Sequence, residues 1–205
     1  MPNLEAALST SRLARYPGST LDEQLQVYRW NIALCEALYP TTHFFEVTLR
    51  NRMHAALSAH AGTEWWFQDP TLVYHPYAVR AVADAINNVR NRPAVPGDVV
   101  AGVAFGFWRG FHLKVYESLW RAILHDVYPS IPSTHAKRTV LNTRAESFRL
   151  LRNRVAHHEP VFHWSNLSQQ HSTIHETLSW LSPMAKAELD KVDRFAAVMA
   201  VDPRT

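Results

Sequence analysis

The sequence is poor in the residues that build several other kinds of protein. Cys35 is its single cysteine, so no intramolecular disulfide can form and a reducing, cytoplasmic setting is expected. Only six of the 205 residues are glycine, and alternating runs rich in valine and isoleucine are missing. Both features argue against a sheet protein. No apolar stretch approaches the roughly 18 residues that a membrane span needs. The opening "MPNLEAALSTSRLARYPGS" has no apolar core behind a basic start, so neither export nor a membrane partner is expected. No low-complexity or linker-like tract divides the chain.

What is present fits one all-α domain over residues 1–205. Hydrophobic residues make up 47% of the chain, enough for a substantial core. A formal charge of +3 and twelve histidines make it mildly basic, which permits an acidic partner such as RNA without requiring one.

"TLDEQLQVYRWNIALCEALYP" places Leu21, Leu25, Tyr28, Ile32, Cys35 and Leu38 at the spacing of one helical face. Thr20 is its expected N-cap, and acidic residues occupy the first turn. Pro40 is expected to end this helix and open a second, which runs to Gly62. The tryptophans of "TEWWFQDP" read as packing anchors in a loop. A helix over 76–92 should end before Pro93. Residues 93–129 predict a short apolar helix, a glycine-containing break around 105–110 and a longer amphipathic helix. A helix from about Thr134 carries Leu141, Ala145, Phe148 and Val155 on one stripe. Two further helices follow, the first capped by Ser165 or Asn166, with Pro183 between them. The tripeptide Arg-Asn-Arg occurs at Arg50, Arg90 and Arg152, but with unequal spacing and different surroundings it is no structural repeat. The Arg90 copy is expected simply to close a helix.

The stretch "RLLRNRVAHHEPVF" concentrates cations beside two titratable rings at a helix end. Cations are favoured there by the helix dipole alone. Arg152 is less ordinary, because a period of about 100° per residue puts it close to the centre of the apolar stripe. A guanidinium in that position needs a partner. Either it pairs with a buried carboxylate such as Glu46 or Glu146, or it faces a cleft that takes a phosphate. His157 lies about 140° further round an ideal helix, whereas Asn153 and His157 are one turn apart and His158 is one turn from Arg154. Convergence of Arg152 and His157 therefore needs a last turn loosened before Pro160, or a second subunit. Glu46 and Arg50, one turn apart, form a favourable ion pair in this reading.

With these residues in place, "LLRNRVAHHEPVF" resembles the signature of the Abi-like proteins, a branch of the HEPN superfamily, in which an arginine and a polar residue precede a histidine by a fixed interval. Arg152, Asn153 and His157 fill those places. "LARYPG", "VYRWNIALCEALYP", "FFEVTLRNRM" and "GDVVAGVAFGFWRGF" also appear in the family's order, so the resemblance covers most of the chain. It implies an all-α, HEPN-like helical bundle with additional helices, and a metal-independent endoribonuclease that acts in bacterial phage defence (abortive infection) without a cofactor. It further implies a homodimer whose two motifs line one cleft and whose partner is RNA. No antitoxin and no phage-derived trigger is indicated. Arg152, Asn153 and His157 are then the catalytic set, with His158, Arg154, Glu46 and Arg50 as additional members. Relatives paired with a nucleotidyltransferase carry a tyrosine two places after the histidine; Glu159 stands there, so tyrosine-directed control is not expected.

In such a reaction a neutral imidazole removes the 2′-hydroxyl proton. Arginine stabilises charge on the phosphoryl oxygens, and the products are a 2′,3′-cyclic phosphate and a 5′-hydroxyl. The alternative from another class is a non-catalytic RNA- or protein-binding helical module. A metal-dependent hydrolase ranks third. His171 and His175 share a helical face at ligand spacing, but Ser172 stands where the metalloprotease pattern needs glutamate. No metal is expected.

Overall fold

The computed structural model describes residues 4–204. Among these the chain forms helices and no strand. Two short helices, α1 (Leu4–Leu8) and α2 (Thr10–Leu13), precede the long α3 (Leu21–Ala61). The others are α4 (Pro76–Asn87), α5 (Pro96–Gly102), α6 (Phe105–Gly110), α7 (Glu117–Val127), α8 (Arg138–Ala156), α9 (Leu167–Leu181), α10 (Pro183–Asp190) and α11 (Phe195–Met199).

Helix α3 is the spine, and α6 to α11 all pack on it. A capping box starts it. The Thr20 hydroxyl accepts from the Glu23 N–H, and the Glu23 carboxylate accepts from the N–H groups of Thr20 and Ser19. Gly62 ends it in the left-handed region, φ 69°. Between these ends the helix runs straight through Pro40 for 41 residues, so the expected stop is overturned. Proline removes one intrahelical bond and crowds the preceding turn, at a cost of about 3 kcal/mol. Burial of Ala37, Leu38, Thr41 and Thr42 on either side offsets that cost. Thr42 Oγ1 also donates to the Tyr39 carbonyl at 2.9 Å.

The buried face of α3 is rotated from the one expected. Val27, Trp30, Asn31, Leu34, Ala37 and Leu38 face the core, while Leu21 and Ile32 are exposed. Trp30 decides the phase, with its Nε1 donating to the Val198 carbonyl at 2.9 Å. The core is one connected cluster running from Tyr16 to Phe195. Trp66 is fully enclosed in it and donates to His54 Nδ1 at 2.9 Å, the anchoring role expected of it.

Three boundaries differ in ways that matter for function. Helix α4 stops at Asn87, leaving Arg90–Arg92 in a loop, not closing a helix. There Arg92 makes two 2.7 Å bonds to Asp98, which caps α5. Residues 105–110 form α6, so the glycine-containing stretch is a short helix and the breaks lie on either side of it. The final expected helix is split into α10 and α11. Asp193 Oδ1 accepts the Phe195 N–H at 3.0 Å, a local turn that competes with helix continuation.

Candidate functional site

Helix α8 ends in a tight left-handed turn. His157 is its C-cap, and the next residue, His158, has φ 57°. The His158 N–H bonds to the Val155 carbonyl at 3.3 Å and the Glu159 N–H to the Arg154 carbonyl at 2.8 Å, the paired bonds of a Schellman motif. Glycine normally occupies the left-handed position, because a side chain there costs roughly 1–2 kcal/mol. A histidine in it signals that surrounding contacts hold the backbone in place.

Those contacts come from distant parts of the chain. Arg12 Nη2 donates to the His158 carbonyl. Asn31, buried on α3, accepts the Val161 N–H at 2.8 Å and the Phe162 N–H at 3.3 Å. Tyr16 stacks on Phe162 with centroids 5.4 Å apart. Arg154 donates to the Pro160 carbonyl at 3.1 Å, lies 3.6 Å from Glu159 and covers the Trp164 ring. Arg154 is thus committed to closing the helix end and not to the pairing with His158 expected from their spacing.

Beside this turn, α3 and α8 enclose a cleft of about 480 Å³. Its wall includes Tyr39, His43, Glu46, Arg50, Arg152 and His158. Arg152 Nε donates to Glu46 at 3.0 Å. The pairing with Glu46 and the cleft location, posed above as alternatives, therefore hold together. Arg152 remains 35% exposed through the cleft mouth.

The expected Glu46–Arg50 ion pair does not form, because Glu46 turns across the cleft to Arg152. Arg50 Nε is shielded from solvent and has no hydrogen-bond partner among the described residues. A buried guanidinium N–H without a partner is costly and marks a place where an anionic oxygen would bind. Two guanidiniums and one carboxylate line the cleft, so it carries net positive charge. Tyr39, 63% exposed, stands at the rim with its ring stacked near His43 at 6.0 Å.

The remaining residues of the expected set do not line this cleft. Asn153 is half-buried and His157 is exposed at the helix tip. A second cavity, of about 540 Å³ and bordered by Arg12, Tyr16, Ile32 and Cys35, meets the first at His158. Two of the three Arg-Asn-Arg copies meet at the cleft. Their first arginines, Arg50 and Arg152, line it. Their last, Arg52 and Arg154, bind carbonyls at helix ends, with Arg52 donating to Asp126 and Val127. The shared tripeptide was the available sequence signal for Arg50 as a principal member, although unequal spacing argued against reading it as a repeat.

No protein-family model, no curated protein and no solved structure matches the chain. Among the described residues, no helix is long and apolar enough to cross a membrane.

Proposed function

We propose that the chain is a metal-independent endoribonuclease of the HEPN type, acting in phage defence as a homodimer. The observation that carries this reading is the cleft at the end of α8, where Arg50 and Arg152 share a lining whose one acidic residue is Glu46, and Arg50 Nε has no partner among the described residues. Phosphate oxygens satisfy such a pair of guanidiniums well. Tyr39 at the rim offers a face for an unstacked base, as single-stranded RNA recognition requires.

The two histidines divide the proton chemistry. His158, in the cleft wall of one copy, and His157, exposed at the helix tip of the other, serve as base and acid. One ring takes the 2′-hydroxyl proton, the 2′-oxygen attacks phosphorus, and the departing 5′-oxygen receives a proton from the other ring. The arginines hold the charge that builds on the phosphoryl oxygens. Ile32 and Tyr39, both exposed on α3 beside His158, supply apolar surface for the second copy.

The test is total RNA incubated with the purified protein in EDTA, beside Arg152→Ala, His157→Ala and His158→Ala, with the cleaved ends analysed. Cyclic-phosphate ends made by the parent and lost in each variant support the proposal. Intact RNA with parent and variants alike removes it. A second reading, RNA binding without turnover, is favoured by one feature: His157 lies outside the cleft of its own chain. Salt-sensitive binding with no cleavage in any condition is its signature.

A further inference from the structure

Away from the cleft, α9 and the turn between α10 and α11 bring three ligand-type side chains to one point. His171 and His175, one turn apart on α9, both direct Nε2 at the same oxygen, Asp193 Oδ2, at 3.3 and 3.6 Å. One donor atom from each residue forms a set in which no pair exceeds 4.8 Å. The cluster is enclosed, with both histidine side chains 11% exposed.

As an ion pair the arrangement is poor. Both rings lie near a single carboxylate oxygen; His175 Nε2 also meets Thr41 Oγ1 at 3.3 Å, while His171 Nε2, buried, has no aligned hydrogen-bond partner among the described residues. The other carboxylate oxygen is already engaged, since Asp193 Oδ1 accepts the Phe195 N–H. That bond fixes the carboxylate with Oδ2 toward the rings. The rings are fixed as well: His171 stacks on Phe195 with centroids 4.3 Å apart, and Asp190 Oδ1 lies 3.6 Å from His175 Nδ1. An outer carboxylate on the far nitrogen of a ligating histidine sets its tautomer and raises its basicity.

We propose that His171, His175 and Asp193 form a binding site for a first-row divalent cation of the zinc type, clamping α9 to the α10–α11 turn. Bonds of about 2.0–2.2 Å to two imidazoles and a carboxylate at tetrahedral angles put the donors roughly 3.3 Å apart. The two histidine–aspartate separations already match that spacing. The donor set, two nitrogens and one oxygen, suits zinc and its neighbours better than calcium or magnesium, which prefer oxygen. The fourth position is left for water, while Asp190 stays on the outer side of His175 and also holds Lys186. None of these residues lines the cleft of Arg50 and Arg152, so this inference stands apart from the proposed function.

The test uses the untagged full chain, stripped with EDTA, dialysed and titrated with Zn²⁺ or Co²⁺. The expected results are one equivalent bound, an intense visible Co²⁺ spectrum typical of tetrahedral coordination, and a melting temperature raised by roughly 5 °C or more at saturating metal. Asp193→Asn and His175→Gln should lose the stoichiometric binding and the spectrum, while His157→Ala/His158→Ala keeps both. The spectrum reads coordination directly, so reduced stability of a variant does not obscure the outcome, and circular dichroism establishes that it is folded. Absence of saturable binding in the parent, or equal binding in Asp193→Asn, overturns the proposal.

Discussion

Helix α8 carries an arginine of opposite fate at each end. Arg138, in its first turn, has a side chain only 8% exposed. Its Nε donates to Glu117 and its Nη1 to the His112 carbonyl, at 2.6 Å for the latter. Arg152, in the last turns, keeps one bond to Glu46 and an open side toward the cleft, beside Arg50 Nε, which has no partner among the described residues. The same side chain is a completed joint in one place and an incomplete one in the other. A buried charge that is fully paired contributes order, while one left short of partners is poised for a ligand.

Substitutions at the two ends should therefore separate stability from function. Arg152→Ala is expected to lower RNA cleavage by roughly 10²–10³-fold, the effect of removing a donor to a transition-state oxygen. The same change alters unfolding free energy by about 1 kcal/mol or less, because the Glu46 pair is partly exposed; single-turnover cleavage and urea melts check the two halves. Arg138→Ala reverses the pattern. It strands the buried His112 carbonyl while Glu117 stays in solvent, and should cost about 1–2 kcal/mol in a urea melt while RNA affinity at low temperature stays near parental.

The core histidine next to Arg138 sharpens the contrast through pH. Burial pushes His112 down to about 4 from its ordinary 6.5. Between those values the unfolded chain binds a proton that the folded chain does not, so stability falls as pH drops. The contribution is complete above about pH 6.5 and lost progressively toward pH 4, amounting to up to roughly 3 kcal/mol. Urea melts across this range should show the slope, and His112→Gln should reduce it whatever its effect on the midpoint; His54, His163, His171 and His175, also pushed down by burial, keep the remainder.

The smallest expected effect lies at the turn itself. His158→Gly should raise stability by roughly 0.5–1 kcal/mol, since glycine adopts the left-handed position without strain. Cleavage should fall in the same variant. A gain in stability coupled to a loss of activity would mark the turn as strained for function, and thermal melts beside the cleavage assay measure both.

Much of the helical layout was legible because its signals are local. The Thr20–Glu23 box and Gly62 cap are short-range chemistry, and Arg152 on the apolar stripe followed from helical period alone. What was not legible depended on distant partners. The passage of α3 through Pro40 rests on packing around it, and the phase of α3 on the long-range bond from Trp30 to Val198. The site was legible to the same depth. Arg152, Glu46 and His158 could be named, but the choice of Glu46 for Arg152 over Arg50 is a tertiary fact. So is the arrival of Asp193 at His171 and His175, which required the last helix to break where periodicity alone would continue it.

The central claim is that Arg50 and Arg152 make the end of α8 a phosphate-binding cleft. Fluorescence anisotropy of a labelled single-stranded RNA, titrated with the parent and with Arg50→Ala across a range of salt, tests it most directly. The account predicts a Kd raised by about tenfold or more and a salt dependence reduced by roughly one ion, with the fold unchanged. An affinity and salt slope identical to the parent's would contradict it.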